Sequence, residues 1–243
     1  MESESVLDYV VSSYTPTVSA LTQRVRDNCP IDNKVSGLFL TSQPKAPRTV
    51  PIPGTSVEVQ SIYEKADGHG IRVMKVEGSE LTVDACLSHL ENFSSVHLAC
   101  HGYQNPEESL QSRFYFHNGT LDLASILRKD LKNADLAFLS ACQTSTGDNN
   151  LPDEAVHLAA GMLAAGYRRV VGTMWSIGDK TAQKVSTSFY DWLFDHMEPG
   201  SGSGFDGSLS AYALHHSIQK LRYDLGDTDD AILAWAPFVH WGY

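Results

Sequence analysis

The sequence predicts an α/β fold, a mostly parallel central sheet with helices on both faces, and three observations carry that expectation. Short apolar runs alternate with amphipathic stretches, the order expected when helices serve as crossovers between parallel strands. The run Ala134–Ala141 (ADLAFLSA) reads as a strand buried on both faces. A chain of 243 residues can bury one substantial core, and a single domain of that length is routine for this class.

The elements follow in order. Val35–Leu40 reads as the first core strand, and a Pro-rich loop runs from Pro44 to Pro53. Thr55–Lys65 reads as a helix with Val57, Val59 and Ile62 facing inward. Ile71–Val76 is a strand, and Thr82 caps a helix reaching about Leu90. Ser95–Cys100 (SVHLAC) is the next strand and stops at His101-Gly102. Arg113–His117 forms a short strand before an Asn118-Gly119 turn, and Ala134–Ala141 ends at Cys142. Pro152–Ala165 reads as a helix with Ala, Leu and Gly on a close-packed face. Arg169–Met174 is a strand, Lys180–His196 a longer helix, and Pro199–Gly207 (PGSGSGFDG) a mobile inter-helix loop. Ser208–Leu225 is a final helix and Ala236–Val239 a last strand. The first thirty residues, with Val6–Val11 and Val18–Val25, are expected to pack on this core. Residues 1–243 thus read as one domain, and the abrupt termini suggest one excised from a longer multidomain chain.

Composition narrows the function classes. Apolar residues at 42% and charged residues at 19% are ordinary for a soluble globular protein. The formal net charge of −11 argues against a nucleic-acid surface, which needs clustered Lys and Arg. No stretch approaches the ~18 unbroken apolar residues of a membrane helix. The opening Met1-Glu2-Ser3-Glu4-Ser5 is unlike a signal peptide. Cys29, Cys86, Cys100 and Cys142 form no CxxC pair and no zinc spacing, so no metal or disulfide framework is expected. Free thiols without a leader point to a reducing, cytoplasmic setting.

Two core strands end on reactive residues, His101 and Cys142. In open parallel sheets, ligand sites form beyond the carboxyl ends of the strands. If these two strands are parallel neighbours, both residues emerge at one edge. There the imidazole can take the thiol proton and later protonate a leaving amine. The backbone N–H groups of Gly102 and Cys142 are candidate oxyanion donors. Each residue alone has a plainer reading: a cysteine closing an apolar strand is usually a core thiol, and a histidine before glycine a turn residue. Cys100 is the rival nucleophile, but strand alternation turns it to the face opposite His101.

The ordered segments His97-Leu98-Ala99-Cys100-His101-Gly102 and Leu139-Ser140-Ala141-Cys142-Gln143-Thr144 resemble the paired motifs of CHAT-domain peptidases, relatives of caspases and separases. Further similar segments are Ala159-Ala160-Gly161 through Ala165-Gly166, Val170 through Asp179 (VVGTMWSIGD), Trp235-Ala236-Pro237-Phe238-Val239, and the opening Tyr9 through Thr17. The resemblance spans nearly the whole chain. It implies a caspase-like α/β/α sandwich, a histidine base at His101 and a cysteine nucleophile at Cys142. It also implies a protein or peptide substrate, no cofactor, and a regulatory neighbour such as helical repeats.

Trp175, Ser176 and Asp179 follow the strand after Cys142, a segment that lines the substrate cleft in caspase relatives. Asp179 facing a basic substrate side chain is one reading, and Asp179 capping the following helix is the other. Asp148, Asp153 and Glu154 either add negative potential to the cleft or start the next helix. His97 reads as a hydrogen-bonded core histidine. No GxGxxG, GxxxxGK[ST] or GxSxG motif is present, which gives nucleotide binding and serine hydrolysis no support. The function expected is a cysteine endopeptidase working through a thioester. The alternative is a catalytically silent or gated CHAT interaction module.

Overall fold

Strand β3 (Ser95–Tyr103) occupies the middle of the sheet because both of its faces suit burial. Val96, Leu98 and Cys100 project into one apolar cluster and Ala99 into the other, as period-two alternation requires. The computed structural model describes residues 5–26, 29–105, 107–143, 155–197, 204–226 and 228–243, apart from the side chains of 20, 23, 24, 141–143 and 155–157. Within that range the other strands are β1 (Leu38–Ser42), β2 (Val73–Lys75), β4 (Arg113–Phe116), β5 (Gly119–Asp122), β6 (Leu136–Gln143), β7 (Arg169–Thr173) and β8 (Phe238–Gly242). They form one sheet in the order β2-β1-β3-β6-β7-β8, with the β4–β5 hairpin attached to β3. Strands β2, β1, β3, β6 and β7 are parallel, and β8 is antiparallel to β7. The expected α/β sandwich with a mostly parallel sheet is the architecture observed.

Helices α3 (Val83–Asn92), α4 (Leu123–Leu127) and α5 (Ala155–Ala165) cover one face. Their Leu87, Leu90, Ile126, Leu158 and Met162 meet Val96, Leu98 and Leu139 of the sheet. Gly161 lets α5 approach α4 closely: a Cβ there would sit 2.4 Å from Leu123 Cδ1. Helices α2 (Gly54–Gly68), α6 (Asp179–Asp195) and α7 (Ser210–Leu225) cover the other face. There Val59, Ile62, Val185, Phe189, Leu193 and Leu214 enclose Leu38, Leu40 and Phe138. Fully burying such a side chain contributes about 1.5–3 kcal/mol, so these two layers hold the sheet between them. Thr82 accepts from Ala85 N–H at 3.2 Å, the expected cap on α3.

Several expectations need correction. Val57 is 57% exposed, so α2 faces the core through Val59 and Ile62 alone of the three. Strand β1 starts three residues late because Val35 and Ser36 N–H both bond Asp32 O in a turn. The short helix α4, strand β5 and helix α8 (Asp229–Trp235) were not expected. Each is too short to show a periodic apolar face. Residues Gly204–Gly207 are tied down rather than loose: Phe205 is buried and bonds Ser36, and Gly207 N–H donates to Asp135 at 2.7 Å. Residues 198–203 lie outside the described residues. At the N-terminus, Val6 and, on α1 (Val18–Arg26), Val18 and Val25 are exposed, whereas Leu7 packs against the core under α2, α6 and α7. The segment also attaches through backbone bonds of Tyr14 to His240 and Gly242, and through the Asp8–Arg222 ion pair. No helix among the described residues is long and apolar enough to cross a membrane.

Candidate active site

Strands β3 and β6 pair in parallel from Val96↔Ala137 to Gly102↔Gln143, and His101 stands directly beside Cys142. The two reactive strand ends therefore meet at one edge, in the register that the parallel-neighbour expectation requires. The Cys142 side chain lies outside the described residues, as do Asp148, Asp153 and Glu154. Gly102 continues β3, with Gln143 beside it on β6 and Phe114 beside it on β4.

His101 is only 4% exposed. Its Nε2 lies 2.6 Å from the carbonyl oxygen of Val50. A carbonyl can only accept, so Nε2 carries the proton and the neutral ring keeps its lone pair on Nδ1. That Nδ1 is buried and has no hydrogen-bond partner among the described residues. A buried polar atom left unpaired costs about 1–3 kcal/mol. The ring thus has one tautomer set by Val50, with Nδ1 unbonded among the described residues.

Val50 was invisible as a site residue, because a backbone carbonyl has no side-chain signature. Its loop is compact: Ile52 N–H donates to Pro44 O at 3.0 Å, and Thr49 Oγ1 donates to Ala46 O at 2.9 Å. The prolines at 44, 47, 51 and 53 restrict the backbone between those bonds. At the end of the loop, Gly54 N–H donates to Asp179 Oδ2 at 2.8 Å. A Cβ at Gly54 would meet that carboxylate oxygen at 2.5 Å, so glycine permits the approach.

Asp179 is therefore a helix cap, but for the wrong helix by the sequence reading. Gly178 is the N-cap of α6, whereas the Asp179 carboxylate satisfies the first N–H of α2. Negative charge there suits the N-terminal end of both helix dipoles. The same contact pins the loop that presents Val50 O to His101. Trp175 donates its indole N–H to Leu233 O at 2.9 Å, which ties the segment after β7 to α8. Ser176 is exposed beside it.

Below His101 on the same face, His97 and Glu58 are fully buried, with His97 Nε2 3.0 Å from Glu58 Oε1. The contact is close enough for an ion pair but poorly aligned for a hydrogen bond, so His97 departs from the hydrogen-bonded core histidine expected. It packs on Phe138 and Tyr190 instead. Cys100 sits in the opposite cluster, buried away from His101. No grouping of three His, Cys, Asp or Glu side chains among the described residues could hold a metal ion.

The sequence model of the CHAT domain family matches residues 2–243. A comparison with curated proteins finds no match. Among solved structures, the chain is similar to the Arg-specific cysteine proteinase gingipain R, at 11% identity and a TM-score of 0.59, covering 92% of this chain and 50% of that one. The complex of Porphyromonas gingivalis RgpB pro- and mature domains matches at 9% identity and a TM-score of 0.59, with 92% and 51% covered. The Saccharomyces cerevisiae separase–securin complex matches at 16% identity and a TM-score of 0.60, covering 95% of this chain and 14% of that one. These likenesses show that the chain shares its mixed α/β fold with those proteins. The chain spans about half the length of the gingipain chains and a far smaller share of separase.

Proposed function

The chain belongs to the CHAT domain family, and from that premise we propose that it is a cysteine endopeptidase whose base is His101 and whose nucleophile is Cys142. The observation that carries the reading is the open, buried Nδ1 of His101, with Nε2–H committed to Val50 O, on a residue paired in register with Cys142.

In this mechanism His101 Nδ1 takes the Cys142 thiol proton, and the sulfur adds to the scissile carbonyl carbon. The resulting oxyanion is met by the backbone N–H groups of Gly102 and Cys142. The C–N bond then breaks as His101 returns the proton to the departing amine, leaving a thioester. Water repeats the cycle: His101 takes its proton, hydroxide adds to the thioester carbon, and the thiol leaves reprotonated. The Val50 carbonyl stabilises the imidazolium formed in each half.

Asp179, Trp175 and Ser176 line the side of the cleft beyond β7. Asp179 spends Oδ2 on Gly54, and its remaining oxygen offers a basic substrate side chain an acceptor. An Arg-specific neighbour of the same fold lends support to that preference.

The test is cleavage of a peptide library by wild type, Cys142→Ala and His101→Ala. Each substitution is expected to lower kcat/KM by about 10⁴-fold or more. Cleavage persisting in Cys142→Ala would overturn the mechanism. A folded wild type that cuts nothing would favour the silent interaction module.

A further inference from the structure

Arg113 opens β4 directly opposite Tyr103 of β3, and Tyr115 stands opposite His101. Partners across an antiparallel pair share a face, and residues two apart on a strand share it too. His101, Tyr103, Arg113 and Tyr115 therefore form one patch on the side of the sheet covered by α2. The Arg113 guanidinium carbon lies 4.9 Å from the Tyr103 ring centroid and 5.8 Å from that of Tyr115, within cation–π range of both. All three side chains are half-buried, open to solvent at one edge.

Arg113 has no carboxylate partner among the described residues, and its Nε–H is buried with no acceptor. The acids nearest along the hairpin make no ion pair with Arg113, and two of them hold other partners. Asp122, opposite Arg113 on β5, accepts from Ser125 N–H at 2.7 Å. Glu108 accepts from Gln111. Contact with the two rings restrains the guanidinium and so lowers the entropy lost when its fork meets a planar anion. A charged donor that is oriented, partly desolvated and unpaired is poised for an acceptor from outside the chain.

We infer that Arg113, framed by Tyr103 and Tyr115, is a subsite for a carboxylate carried by the bound peptide. The peptide's path rests on the peptidase reading; the carboxylate recognition does not. Strand β6 takes one edge of β3 and β4 the other, and neighbouring strands lie ~4.8 Å apart. Cys142 and the β4 backbone are thus separated by roughly 10 Å, about three residues of extended peptide. The carboxylate belongs about three residues from the bond that is cut.

The source is an Asp or Glu side chain or the peptide's own C-terminus, and one experiment separates them. Cys142→Ala protein is used to capture peptides from a positional library made in C-terminal acid and C-terminal amide forms. Captured peptides are identified by mass spectrometry, and wild type is run against the same library for cleavage. The expected result is enrichment of Asp and Glu over Asn and Gln at one position by about tenfold or more. Asp and Glu enrichment that is equal in the acid and amide forms assigns a side chain, and capture that favours the acid form over the amide form whatever the residues assigns the terminus. Adding Arg113→Gln is expected to erase the preference, and Arg113→Glu to turn it toward Lys and Arg at that position. Arg113→Lys keeps the charge without the planar fork and is expected to retain a weaker acidic preference, which separates recognition from misfolding. Capture without cleavage sinks the peptidase reading and leaves the subsite standing. Cleavage with neither a positional acidic preference nor a preference for the acid form, an unchanged preference in Arg113→Gln, or no capture of any peptide overturns the subsite.

Discussion

A neutral imidazole has one lone pair, and its second nitrogen decides where that pair points. For His101 the decision is made by the Val50 carbonyl, which is made reliable by a proline-rich loop and the Asp179–Gly54 bond. This gives Asp179 a role separable from substrate contact. Asp179→Ala frees the start of α2 and lets the Val50 loop shift, with an expected fall in kcat of up to about a hundredfold. Asp179→Asn keeps an oxygen acceptor for Gly54 N–H and is expected to restore kcat toward wild type, while weakening any preference for a basic substrate side chain. Kinetics on one basic and one neutral peptide read both effects; equal losses in Ala and Asn would remove the positioning role. His101 itself was legible because a histidine ending a core strand sits at a known kind of edge. Val50 and the true target of the Asp179 cap were not, since both depend on contacts across long stretches of chain that no local pattern encodes.

Elements with long periodic or continuous apolar runs were legible to within about two residues at each end: β6, β7, α3, α6 and α7. The hairpin around Asn118-Gly119 was half seen, because β5 offers only Leu121 to the core. β3 runs past His101 to Tyr103, since the β4 hairpin takes over as its neighbour where β1 ends; the apolar run alone stops at Cys100. The edge strand β8 carries its own test. His240, on β8, is buried between Ser13 of the N-terminal segment and Ser210 of α7, at 2.7 and 2.9 Å. Burial, helped by the charge of Arg169, lowers its pKa to about 4. A histidine in the unfolded chain titrates near 6.5, so between about pH 6.5 and 4 the unfolded state binds more protons. Stability is therefore full above about 6.5 and is lost as pH falls toward 4, by on the order of 3 kcal/mol. Thermal melts across that window are expected to show a shallower decline in His240→Gln than in wild type. Parallel slopes would show that His240 does not set the acid limit.

At the scale of the molecule, the two helical layers leave the carboxyl ends of β3 and β6 as the place where chemistry can gather. Asp179 is tied to the start of α2, and Arg113 sits between its tyrosines on the hairpin beside His101. A substrate with a basic and an acidic side chain spaced along an extended segment fits that polarity. Fold class was legible from alternation alone, but the clamp between α2 and α6 and the hairpin beside His101 arise only when the sheet is assembled. The central claim is that His101 activates Cys142, and the most direct test is the alkylation rate of each cysteine by iodoacetamide, followed by peptide mass spectrometry between pH 5 and 8. Cys86, buried and with its thiol pushed up to about 12, and Cys100, also buried, are expected to stay unlabelled, and exposed Cys29 is the internal reference. The account predicts that Cys142 reacts at least tenfold faster than Cys29 at the acid end of the range, and that His101→Ala abolishes this advantage. A Cys142 no faster than Cys29, or equally fast without His101, would contradict it.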